Sequence, residues 1–70
     1  MTQFATLNKE QSITQIRWGG NDDPNKLLTI GKPYEVLNIE VHSWHTKVIL
    51  KDFPDKKFND VEFTIQTKKD

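Results

Sequence analysis

His42 and His45 are the only histidines of the chain and stand three residues apart. Imidazole is the side chain that most often binds a transition metal or moves a proton near neutral pH. Residues three apart in a continuous strand face opposite ways, so only a turn brings this pair together. The chain has no cysteine and no third histidine, and zinc there would need a carboxylate such as Glu40 or Asp52. The pair reads as two polar rings flanking a hairpin tip and partly packed on Trp44, with pH-sensitive binding as a subsidiary role. Neither a metal nor any other cofactor is expected. Asp22 and Asp23, beside Pro24, are the second set with chemical potential. Paired carboxylates do acid–base work when burial shifts their pKa values, and a polar loop does not supply that burial. They read as a solvated turn. No Ser–His–acid set, phosphate-cradling glycine loop or nucleophile elbow accompanies them, so no enzymatic activity is expected.

The aromatic residues offer binding instead. Trp18 precedes the breaker-rich stretch Gly19–Asn25, Trp44 sits at a hairpin, and Phe53 lies in a polar turn before Pro54. Exposed aromatics anchor protein interfaces, because they cover much area with few torsions to freeze. Trp18, Asn21, Asp22, Asp23, Trp44 and Phe53 form the candidate surface for a protein partner, with burial of Trp18 and Trp44 in a core short of large residues as the competing reading. Lys47, Lys51, Lys56 and Lys57 form an alternative one. Interleaved with Trp44 and Phe58, they would give a single-stranded nucleic acid a charged stacking platform, although Asp52, Asp55 and Asp60 interrupt it. A third class of partner is a second copy of the chain, paired along an exposed first or last strand.

Composition limits these choices. Ten basic and ten acidic residues in 70 cancel to a net charge of zero. The basic excess usual in nucleic-acid binders is missing, as is the acidic excess of a DNA mimic. Little self-repulsion opposes association. A chain this short makes one small domain that buries about 60% of its unfolded surface. No apolar run approaches the length of a transmembrane helix, and the N-terminus lacks the basic start and apolar core of a secretion signal. The cytoplasm is the expected compartment.

Residues 1–11 read as a flexible N-terminal arm. Alternation of Thr14, Ile16 and Trp18 predicts a first strand over 12–18, followed by a surface loop and an extended segment at 27–30. Gly31-Lys32-Pro33 predicts a tight turn into the longest strand, Tyr34 to Val41, with a bulge near Val36–Leu37. His42 to Trp44 reads as a hairpin connection and His45 to Lys51 as the next strand. Asp52 to Lys57 reads as a turn, Val61 to Gln66 as the last strand, and 67–70 as a frayed C-terminus. Five short strands at this spacing predict an all-β domain over 12–66, a small five-stranded, partly open barrel.

The order of parts resembles the Src-homology-3-like barrels. Leu28-x-x-Gly31-Lys-x-Tyr34-Glu-Val-Leu37 looks like their Gly-bearing turn and second strand. Trp44, ahead of Val48-Ile49-Leu50, resembles the aromatic that opens their third strand. Phe58-Asn-Asp-Val61-x-Phe63 looks like their closing helical turn and final strand. More narrowly, Gly31–Leu37, His42–Val48 and Phe58–Phe63 resemble a group of small bacterial and phage proteins. That resemblance covers 12–66 and implies a fold and a phage or mobile-element setting, in which a partner would be a host protein such as a defence component. Gln15-Ile-Arg-Trp-Gly-Gly20 departs from the acidic-aromatic signature of the members that bind proline-rich peptides, and no Pro precedes the closing turn, so that specificity is not implied.

Overall fold

Every strand of the sheet is tied directly or indirectly to β2, Pro33–Val41, in a computed structural model that describes residues 1–69. The other strands are β1 (Thr2–Leu7), β3 (Thr46–Leu50), β4 (Phe53–Asn59) and β5 (Phe63–Lys68). They form one antiparallel sheet in the order β4-β3-β2-β1-β5. The first part of β2 pairs with β1, Phe4 opposite Glu35 and Thr6 opposite Pro33. Its second part pairs with β3, and the register shifts between Val36 and Asn38. This is the expected bulge, and it lies where β2 passes from pairing with β1 to pairing with β3. The all-β, five-stranded class stands as expected, but the sheet is not closed into a barrel. The outer edge of β4 is occupied instead by the loop at Asp22, whose N–H donates to the Lys57 carbonyl at 2.8 Å and whose carboxylate accepts from the Lys57 N–H at 2.9 Å.

One hydrophobic cluster draws on all five strands and on Leu28. Ala5, Leu7, Leu28, Tyr34, Val48, Leu50 and Phe58 are buried together, and Val36, Ile39, Phe53, Phe63 and Ile65 pack around them partly exposed. Tyr34 also closes the turn that precedes its own strand, its hydroxyl accepting from the Thr29 N–H at 2.8 Å. Gly31 takes φ +85° in that turn, a conformation that favours glycine, and its N–H donates to the Leu7 carbonyl at 2.9 Å.

Five boundaries differ from the sequence reading. No strand forms over 27–30, since Leu27 ends a short helix, Pro24–Leu27, and a turn follows at Ile30-Gly31. Residues 2–7 are no arm: β1 lies between β2 and β5, and Ala5 and Leu7 are fully buried. Residues 12–18 are not a strand. Ile13–Arg17 is a short helix, α1, held by a reciprocal capping box in which Ser12 Oγ accepts from the Gln15 N–H and Gln15 Oε1 from the Ser12 N–H. Two local bonds to otherwise orphaned donors outweigh a weak alternation. Residues 53–59 are strand rather than turn, because the reversal is completed by Lys51-Asp52 alone, and Pro54 is tolerated in an edge strand. The last strand runs on to Lys68, since Thr2 and Gln3 pair with Lys68 and Thr67.

The long connection between β1 and β2 carries α1 and a second short helix, α2, Pro24–Leu27. Buried Gln11 holds the connection to the sheet, its side-chain amide donating to the Asn59 carbonyl at 2.7 Å. Gln11 and Asn25 exchange hydrogen bonds at 2.9 and 3.0 Å. Buried Asn59 donates to the Gln15 carbonyl at 2.8 Å. These amides fix α1, and so Trp18, relative to β4.

Candidate functional site

The β2–β3 hairpin ends in Ser43-Trp44, with the His42 N–H closing the turn on the His45 carbonyl at 2.8 Å. At such a tip an indole has no core to enter, and Trp44 is 84% exposed. Across from it, α1 delivers Trp18 at its C-terminal end. Trp18 is 54% exposed, and its indole N–H donates to the Trp44 carbonyl at 3.3 Å. Two segments 26 residues apart in sequence thus place both tryptophans at one surface. A cleft of about 530 Å³ runs beside them, bounded also by Gln15, His42, Asp60 and Val61. A second, almost wholly apolar notch lies between Trp18, Gly19, Trp44 and His45.

The junction is fixed from below. Gly19 has φ +79°, and its α-carbon packs so closely on the His45 ring that a Cβ there would stand 2.6 Å from Nε2. Lys47 Nζ donates to the Gly19 carbonyl at 2.7 Å. His42 stacks on His45 with ring centroids 4.7 Å apart and an interplanar angle of 19°. The turn therefore does converge the two histidines, as rings supporting the aromatic surface. Among the described residues no group of three or more His, Cys, Asp or Glu is placed to hold a metal ion.

Charge at the site is local. Glu40 contacts Lys57 Nζ at 3.0 Å and His42 Nε2 at 3.3 Å. The hydrogen bond from Lys57, and then that from His42, hold its carboxyl below the usual carboxylate range. Asp60, on the cleft wall, is pushed the other way by partial burial.

The residues singled out from sequence divide accordingly. Trp18 and Trp44 come together at the surface. Asn21, Asp22 and Asp23 do structural work: the Asn21 amide bonds the Trp18 carbonyl, Asp22 straps β4, and Asp23 caps α2 through the Asn25 N–H. Phe53 is not exposed in a turn but half-buried against Tyr34 and Phe58, with centroids 6.5 and 6.4 Å apart. The lysines do not make one platform. Lys47 is drawn to Gly19, Lys51 pairs with Glu35 at 3.0 Å, and Lys57 pairs with Glu40. Lys56 and Lys57 are successive residues of β4 and point to opposite faces. Sequence reasoning placed Gly19 in a polar loop and Gln15 on a strand without seeing their structural roles; the signal for both was Ser12-x-x-Gln15 followed by a glycine pair, a helix start and stop.

Among the described residues no helix is long and apolar enough to cross a membrane. The model of a protein family described as Bacteriophage T4 protein Y07B matches residues 7–70. No curated protein and no solved structure matches the chain.

Proposed function

The chain belongs to the Bacteriophage T4 protein Y07B family, and from that premise we propose that it is a non-catalytic protein-binding module that acts on a host protein, such as a component of antiviral defence. The observation that carries this reading is the convergence of Trp18 and Trp44, both largely exposed, around an apolar notch. Indoles left in water beside a cleft are the usual anchors of an interface. Their support is rigid, since Gly19, His45 and Lys47 hold the helix end to the hairpin, and a prearranged surface loses less entropy on binding.

The proposal includes a Src-homology-3-like arrangement, with the first strand placed at 2–7. Support comes from the succession of parts: a long connection, a Gly31 turn opening β2, Trp44 ahead of β3, and a turn at Asp60–Glu62 before β5. The nucleic-acid alternative has less support, because Lys51 and Lys57 face carboxylates and Lys47 a carbonyl.

The test is affinity capture from host lysate at low and high salt, with wild type and Trp44→Ala compared. Trp44 touches so little of the fold that its truncation should leave stability within about 0.5 kcal/mol. A host protein held at both salt concentrations by wild type and lost by the variant supports the module. Nucleic acid held only at low salt, or retention unaffected by the variant, overturns it.

A further inference from the structure

The two edges of the sheet are treated differently. At β4 the outer edge is strapped by Asp22, and the strand carries Pro54, Asp55, Lys56 and Lys57. Charge, proline and cover are the devices that keep an edge from pairing with another chain. β5 has none of them between Phe63 and Thr67. Its neighbour on one side is β1, and on the other side no strand pairs with it among the described residues.

The register fixes which backbone groups face outward. Asn8 N–H donates to the Glu62 carbonyl at 2.8 Å, so Glu62, and by alternation Thr64 and Gln66, direct their peptide groups to β1. Phe63, Ile65 and Thr67 direct theirs away from it. The Phe63 N–H is already engaged with the Asp60 carbonyl at 3.0 Å. The Phe63 carbonyl and both peptide groups of Ile65 and Thr67 remain as the outer row.

We propose that this row pairs with the same row of a second copy, antiparallel and with the two-fold axis at Ile65. The row is self-complementary in that register. Ile65 exchanges N–H and carbonyl bonds with Ile65 of the second copy, and each Thr67 N–H donates to the Phe63 carbonyl opposite. The engaged Phe63 N–H is the one donor the seam does not use. The register sets Glu62 across from Lys68 of the second copy, so opposite charges meet at both ends of the seam. It also sets the Ile65 side chains together on the core side of the sheet. Phe63 and Ile65 pack on the core yet remain partly exposed, because the sheet stops there. A second copy continues the sheet over them. Zero net charge leaves little long-range repulsion against the encounter.

Sedimentation equilibrium across micromolar to millimolar concentration tests the proposal. Wild type should approach twice the 8.2 kDa of one chain. Thr67→Pro removes an outward N–H that β1 does not use, and should weaken the dimer at least tenfold while near-ultraviolet circular dichroism stays native. Should that variant fail to fold, Thr64→Lys with Gln66→Lys sets lysines against each other across the seam on the solvent face, with the same loss expected. Wild type at single-chain mass throughout overturns the proposal, as does a dimer that survives in a folded seam variant.

Discussion

Gly19 and His45 are in direct contact, with a Cβ on Gly19 destined to lie 2.6 Å from the imidazole Nε2 and 2.7 Å from Cε1. The backbone there is also in the left-handed region. Two independent penalties therefore act on any side chain at this position. Gly19→Ala should lose about 1–2 kcal/mol from the backbone alone, with a further loss from displacing the ring. Denaturant melts of Gly19→Ala, His45→Ala and the double variant separate the two. The double variant should recover the part due to the ring and keep the part due to φ.

Ser12→Ala removes the acceptor of the capping box. The expected loss is about 0.5–2 kcal/mol, read as a lower midpoint at unchanged slope. Because α1 presents Trp18, the same variant should make the indole of Trp18 more mobile, visible as lower fluorescence anisotropy in a Trp44→Phe background.

Phe58→Ala empties the centre of the core. Full burial of the ring implies a loss of about 3–5 kcal/mol, comparable to the whole stability of a domain this size. The variant should be largely unfolded at room temperature by circular dichroism.

Glu40 and Asp60 give opposite pH signatures. The carboxyl of Glu40 is held below its ordinary value of 4.5, so its stabilising contribution is present above that value and disappears as pH falls through the folded-state pKa. The stability difference between wild type and Glu40→Gln should shrink toward zero in that range. Asp60 is raised above its ordinary value of 3.8, so folding favours its protonated form. Ionised Asp60 opposes folding above its folded-state pKa, and the effect vanishes below 3.8. Asp60→Asn should raise the melting temperature at pH 7 and leave it almost unchanged at pH 3.

Legibility in the sequence tracked how strongly each segment declares itself. β2 and β3 are rich in β-branched residues and were bounded by real turn signals at Gly31-Lys32-Pro33 and Ser43-Trp44. Their bulge was visible as a change of phase in the alternation. β1 was hidden because only Ala5 and Leu7 mark its inner face, and its stability comes from partners on both sides rather than from local preference. β4 was hidden by Pro54, which reads as a breaker anywhere except at an edge. α1 was misread because Thr14, Ile16 and Trp18 alternate by chance, while Ser12-x-x-Gln15 carried the true signal. At the site, the sequence left both tryptophans open between core and surface, because a domain with so few large residues could have needed them inside, and the meeting of Trp18 with Trp44 required a helix end that alternation concealed. Phe53 was misplaced along with the strand that contains it.

The pairing of β1 with β5 joins Thr2 to Lys68 and Leu7 to Phe63. The strand that opens the chain is thus held on one side by its most distant segment. Little of this sheet can be assembled from neighbours in sequence apart from the β2–β3 and β3–β4 hairpins. Large loops must close before their contacts repay the entropy, and topologies of this kind fold in about milliseconds to seconds rather than microseconds. The hairpins of β2, β3 and β4 should therefore gain protection from hydrogen exchange first during refolding. Until β5 docks, β1 keeps an open flank of its own, and the time spent in that state sets how long the chain is exposed to mispairing.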